Sequence, residues 1–232
     1  MYSPEAVLKI LDSAGVRRAL VSSTPDDGTV RLYEKDPGRV VPELRPYRTR
    51  ADMVSWYRDP DVLAYVEERL RRGIYKGLGE FHLRAEDAAT PLMKRFVALA
   101  VGHNLVMHSH SDAGTIQALF VHDGRLRALW AHAGMSAGPD EIAAMLDRYP
   151  NLWVELALRT DVAPGGTLDP DWRALFLRYP DRFCVGTDTW ITSRWDELPR
   201  YLAGVRAWLG ELPADVAERI AFKNAERLYG AR

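Results

Sequence analysis

The sequence predicts an α/β protein of the (β/α)8 TIM-barrel type, with seven of the eight strands visible and the first missing. Three observations lead there. Short apolar runs alternate with longer amphipathic ones almost from end to end, the pattern of strands each followed by a helix in a parallel sheet. No Gly-rich fingerprint follows the first strand, which weakens an open dinucleotide-binding sheet. Histidines and carboxylates fall at the C-terminal ends of several strands, where a barrel places its active site. The competing architecture is an open sheet with incidental histidines, which would spread those strand ends along a crevice instead of around a ring.

Taken in order, Ser3 to Ala14 opens with Ser3-Pro4-Glu5, a helix start, and stops at Gly15. Val16 to Ser22 reads as a strand, Val30 to Lys35 as a short helix and Arg39 to Tyr47 as the next strand. Asp59 to Arg72 is helical, and Tyr75 to Leu83 extended. Helices over Pro91 to Val101, Ala113 to Val121, Pro139 to Tyr149 and Asp169 to Arg178 alternate with strands over Asn104 to His110, Leu126 to His132, Asn151 to Arg159 and Arg182 to Thr187. Two helices close the chain. Because it opens on a helix, the strand absent from the alternation is the first, and another chain or a rearranged strand would have to cover that place. The whole of 1–232 is expected to form one domain.

A net charge of −1 and no run of Lys and Arg argue against a nucleic-acid or anionic-membrane partner. No stretch approaches the roughly 18 apolar residues that span a bilayer. One cysteine, Cys184, excludes an internal disulfide and a zinc–cysteine site. Met1-Tyr2-Ser3-Pro4-Glu5 is no signal peptide, so the cytoplasm is expected, or the periplasm or exterior if an upstream signal precedes it. The expected partner is a small-molecule substrate; a homo-oligomer is compatible with the tryptophan-rich last third, although such residues more often fill space between helices.

Residues two apart on a strand share a face. Glu80 and His82 therefore point together, as do His108 and His110; His132 ends the next strand, Glu155 and Arg159 close another, and Cys184, Gly186 and Asp188 share the last. Neutral imidazole and carboxylate are the preferred ligands of Zn²⁺, Mn²⁺ and Fe²⁺. Taken singly, each has a plain alternative: His82 as a bonded strand-end filler, Glu80 as an ion-pair partner, His108 and His110 as a satisfied core pair. His103 and His122 lie beside turns and read as surface residues, and Trp130, Trp153 and Trp190 as packing residues. The weight lies in the combination.

With those residues in view, the chain resembles the amidohydrolase-related family of the amidohydrolase superfamily, which includes metal-dependent hydrolases and decarboxylases. Gly77 to His82 is similar to that family's fourth strand, Leu105 to Asp112 to its fifth, Leu129 to Gly134 to its sixth, and Gly186 to Trp190 to the eighth-strand segment. Ala217 to Gly230 resembles the closing helix, and Arg45-Pro46-Tyr47 a third-strand motif. The resemblance implies a divalent metal ion, zinc first, with manganese or iron as alternatives. It implies Asp188 and either His108 or His110 as ligands, with His132 contacting substrate, water or metal. The family's first-strand His-x-His has no counterpart before the first helix.

On this reading Asp188 ligates the metal and acts as general base, and His132 serves the oxyanion. Glu80 and His82 bind the metal or tune it from outside. Arg45, Tyr47 and Arg159 are assigned to the substrate, because guanidinium matches a carboxylate bidentately. The expected activity is metal-dependent hydrolysis of a small carboxylate-bearing amide, ester or lactone. Decarboxylation on the same scaffold is the alternative, and a catalytically silent barrel without a complete metal site is another.

Overall fold

The computed structural model describes residues 2–230. Its strands are β1 (Ala19–Val21), β2 (Val40–Leu44), β3 (Gly77–His82), β4 (Val106–His110), β5 (Arg127–Trp130), β6 (Leu152–Glu155) and β7 (Phe183–Cys184). The helices are α1 (Pro4–Ser13), α2 (Asp27–Lys35), α3 (Pro60–Leu70), α4 (Ala85–Ala88), α5 (Pro91–Gly102), α6 (Ala113–His122), α7 (Pro139–Arg148), α8 (Pro170–Arg178), α9 (Thr192–Asp196), α10 (Leu198–Leu209), α11 (Ala214–Glu218) and α12 (Asn224–Tyr229). Helices α1, α3, α5 and α8 begin alike. Ser3, Asp59, Thr90 and Asp169 each accept a backbone N–H of the first turn, and a proline follows. The cap satisfies an otherwise orphaned donor, and proline sits where no donor is needed.

Among the described residues the strands form one seven-stranded sheet in the order β1-β2-β3-β4-β5-β6-β7, and every pairing is parallel. Sequential order with helical crossovers is the winding of a (β/α) barrel, curled here with one strand's place open between β1 and β7. Leu44, Leu78, Phe81, Met107, Trp130 and Phe183 pack outward against the helices in the larger core cluster. Inside the curl Val41, Val106, Leu129 and Cys184 meet Leu228 and Tyr229 of α12, which closes the floor. Burying side chains of this size contributes roughly 1.5–3 kcal/mol each.

The tail is docked by specific bonds. Asn224 Nδ2 donates to Pro180 O at 2.9 Å and to Phe183 O at 2.8 Å, and Asn224 is 1% exposed. Val185 N donates to Ile220 O beside the outer edge of β7. The Asn224-Ala225-Glu226-Arg227-Leu228 pattern thus has a physical reason: its amide ties the last helix to β7 while Leu228 reaches the floor.

All residues of β2 are buried, whereas every residue of β1 is half-exposed. The difference follows from the open place beside β1. A cavity of about 570 Å³ runs from the strand ends down that opening, lined by Leu20 and Val185 at the edges and by Leu198, Leu202 and Val205 of α10.

Expected and observed elements differ mainly at strand ends. The strand expected to reach His132 stops at Trp130, and the one expected to reach Arg159 stops at Glu155. The backbone turns left-handed at His132, Ala133 and Leu158, which ends the extended run. Helix α2 starts at Asp27, ahead of the expected Val30, because Ser23 Oγ accepts Thr29 N at 2.8 Å and starts the turn early. Trp130 fills the core as expected, but Trp190 is 63% exposed and borders the cavity, which corrects its assignment to packing. No helix among the described residues is long and apolar enough to cross a membrane.

Candidate metal centre

Strand β3 is where the site begins. Its register against β4 shifts between Gly79 and Phe81, so Phe81 pairs with Ser109 and His82 with His110. Such a bulge re-aims side chains. Here Phe81 enters the helix-facing core while Glu80 and His82 stay half-buried toward the lumen. Gly79 permits the approach: with φ 154°, a Cβ there would lie 2.4 Å from His108 O.

Glu80, His82 and His110 bring their ligand atoms within 4.8 Å of one another. Atoms bound to a single ion at about 2.1 Å lie somewhat closer than this, so a small inward movement would suffice. Glu80 Oε1 lies 2.8 Å from His110 Nδ1 and 3.3 Å from His132 Nε2. The rings of His82 and His110 stack at 4.2 Å. The backbone of His82 is held at both ends: its N–H donates to Tyr47 Oη at 2.8 Å, and its carbonyl accepts from Trp56 Nε1 at 2.9 Å.

Two further carboxylates lie below and beside this group. Glu43 on β2 meets His108 Nδ1 at 3.2 Å, with both side chains buried. Glu155 Oε2 accepts His132 N at 3.0 Å, and the same oxygen lies 3.0 Å from His132 Nδ1 without alignment for a hydrogen bond. Sequence reasoning missed Glu43 altogether. The available signal was a lone charge in the apolar run Val40-Val41-Pro42-Glu43-Leu44, since charged side chains are rarely buried without a partner.

Burial and neighbouring charge set the protonation states. Burial pushes the Glu80 carboxyl up, but bonds from His110 and His132 outweigh it and hold Glu80 well below the carboxylate range. Burial pulls His132 down, yet Glu155 and Glu80 lift it to about 10; for His108 burial is likewise overcome by Glu43, to about 9. His82 falls to about 4 through burial and the neighbouring His110. Burial and the charge of Glu80 raise Asp188.

The predicted residues are therefore brought together unevenly. Glu80, His82 and His110 form the tight group. His132 joins it through Glu80, and Asp188 and Arg45 line the same cavity. His108 also lines it but bonds to Glu43, and neither His108 nor Asp188 belongs to the 4.8 Å group among the described residues. Two substrate assignments are corrected. Tyr47 is fully buried, with its hydroxyl on His82, so it orients that histidine. Arg159 spends its N–H groups inside the protein, on Asp161 through Nε and Nη2, on His132 O and Ala133 O through Nη1, and on Ala137 O through Nη2. No donor is left for a substrate carboxylate. His122, expected on the surface, is half-buried with Nε2 2.6 Å from Ala88 O.

Imidazole and carboxylate converging in a half-buried group, with one ring nitrogen of His108 buried and unpartnered nearby, suit a divalent ion such as zinc. Comparison with known proteins agrees on the fold. An uncharacterised TIM-barrel protein of Bordetella bronchiseptica superimposes with a TM-score of 0.71 at 14% identity, over 97% of this chain and 82% of that one. An amidohydrolase of Burkholderia multivorans, solved with bound zinc, gives 0.65 at 17% identity, over 98% and 88%. The 2,6-dihydroxybenzoate decarboxylase of Rhizobium gives 0.65 at 13%, over 99% and 88%. No curated protein matches the chain. Residues 45–231 match the amidohydrolase family over most of the sequence, and the chain belongs to that family.

Proposed function

We propose that this chain is a metal-dependent hydrolase acting on a small carboxylate-bearing amide, ester or lactone, with Glu80, His82 and His110 holding the ion. The observation that carries this reading is the approach of those ligand atoms to within 4.8 Å of one another, with Glu80 also lining the cavity of about 570 Å³. Zinc is the first candidate, supported by the donor set and by the zinc bound in the Burkholderia multivorans amidohydrolase. A bound divalent ion lowers the pKa of water toward about 7 and polarises a carbonyl oxygen.

The chain supplies the rest. Asp188 faces the cavity with its proton affinity raised by burial and by Glu80, which suits a group that takes up a proton. His132, held between Glu80 and Glu155 and lifted to about 10, places a positive charge beside the cavity, which favours a developing oxyanion. Arg45 gives one N–H to Glu80 O at 2.8 Å and lines the cavity, where its guanidinium is suited to a substrate carboxylate.

Decarboxylation is the second reading. It is favoured by the fold shared with the Rhizobium decarboxylase and uses the same carboxylate-binding arginine. The test is elemental analysis of purified protein, followed by turnover assays with zinc, manganese or iron. Lactones, amides, esters and aromatic or unsaturated acids are the compounds to screen. About one metal ion per chain, lost in His110→Ala, together with hydrolysis of one class, is expected. Release of carbon dioxide without hydrolysis selects the second reading. A chain that retains no metal and turns over nothing is a silent barrel.

A further inference from the structure

Two residues assigned chemistry above have backbone conformations that side chains rarely adopt. His132 lies at φ 53° and ψ 27°, followed by Ala133 at φ 48° and ψ 42°, and Asp188 lies at φ 44°. In this left-handed region the Cβ of an L-residue crowds the following carbonyl oxygen. Such conformations persist where the surroundings enforce them, and they cluster at functional sites.

The same device enforces both. Arg159 Nη1 donates to Ala133 O at 2.9 Å and lies 3.4 Å from His132 O, while Nη2 donates to Ala137 O at 2.8 Å. Arg159 is itself fixed by Asp161, at 2.7 and 2.8 Å, and by stacking 4.7 Å over Trp172. On the other side of the rim, Arg194 of α9 donates from Nε to Asp188 O at 2.6 Å and from Nη2 to Thr187 O at 2.7 Å. A planar guanidinium spans two neighbouring carbonyls with its fork, whereas an ammonium is a single point. At His132 the opposite end of the residue is held as well, since its N–H donates to Glu155 Oε2 at 3.0 Å.

We propose that Arg159 and Arg194 are positioning residues, each clamping the carbonyls of a left-handed turn so that His132 and Asp188 present their side chains to the cavity. This inference rests on the functional reading above and goes further by naming what orients its two proton-handling groups. Rotation of φ back to negative values would swing the Cα–Cβ bond of Asp188 away from its present direction. The clamp therefore acts on the carboxylate through the main chain.

The test combines a backbone reporter with turnover. In isotope-labelled wild-type protein, the Cα and carbonyl shifts of Asp188 should report a positive φ. In Arg194→Ala they should move toward averaged or right-handed values, with Arg194→Lys behaving like the alanine variant. For Arg159, whose removal leaves a buried void, Arg159→Lys is the variant and Ala133 the reporter. Turnover of the substrate that the screen identifies should fall about tenfold in Arg194→Ala, and that substitution should cost nothing further in an Asp188→Ala background. The clamp is overturned if Asp188 keeps its left-handed shifts in Arg194→Ala. It is equally overturned if Asp188→Ala lowers turnover while Arg194→Ala does not. If the shifts move but Asp188→Ala leaves turnover unchanged, the clamp stands and the assignment of Asp188 as proton acceptor fails.

Discussion

Glu43 Oε2 lies 3.2 Å from His108 Nδ1, while Glu43 Oε1 and His108 Nε2 are buried without a partner in the protein. One atom of each polar group is thus satisfied and the other is left buried without a protein partner, in two residues that both line the cavity. A carboxylate on Nδ1 orients an imidazole and leaves Nε2 facing inward.

Removing one member of a buried ion pair strands the other. Glu43→Leu should therefore lower unfolding free energy by about 3–5 kcal/mol, read from urea melts of the metal-free protein. The double variant Glu43→Leu/His108→Leu should lose less than the single one. Equal or greater loss in the double variant would show that the pair does not interact as described.

Gly186 makes room for the carboxylate that holds His132. A Cβ at this position would fall 1.5 Å from Glu155 Oε1, the atom that accepts Ala157 N. Gly186→Ala should cost about 1–3 kcal/mol through overpacking. Gly204→Ala, on α10 with nothing within 4 Å, should stabilise by about 0.5–1 kcal/mol. Chemical denaturation of the two variants separates these signs.

Asp188→Asn keeps the shape of the side chain, and asparagine tolerates the left-handed region better than most residues. Its melting temperature should stay within about 2 °C of wild type. Turnover of whichever substrate the screen identifies should drop about 10²–10⁴-fold if Asp188 takes up the proton. Full activity in this variant would remove the base from the proposed scheme.

Stability of the metal-free protein should peak near pH 6.5. His132 rises from 6.5 to about 10 on folding, so its contribution is complete below pH 6.5 and is lost as pH climbs through 10. His108, raised to about 9, acts in the same direction. His82 falls to about 4, so the folded state loses stability as pH drops from 6.5 toward 4, and Glu80, held low, adds to that loss below its ordinary 4.5. Thermal melts with chelator should show a decline of at least about 2–4 °C on each side. A flat profile between pH 6.5 and 10 would contradict the charged state assigned to His132.

Much of this protein was legible in the chain. Alternating strand and helix periods announced the parallel winding, and a two-residue strand repeat placed Glu80 with His82. Those features depend on neighbours a few residues away, so local patterning records them. The roles of Glu43, Tyr47 and Arg159 were not recorded that way. Arg159 looked available at a strand end, but a left-handed turn brings the carbonyls of His132 and Ala133 to it.

The sequence by itself determined the element order, the parallel sheet and the imidazoles and carboxylates at its rim, because helical and extended periods and strand-end chemistry are written in spacing. The tertiary structure decided which carboxylate meets which ring. It also placed His110 rather than His108 with Glu80 and His82, and fastened His132 and Asp188 in left-handed turns. Those outcomes depend on the register of β3 against β4, on sheet curl, and on contacts between residues dozens of positions apart. No local repeat encodes such distances.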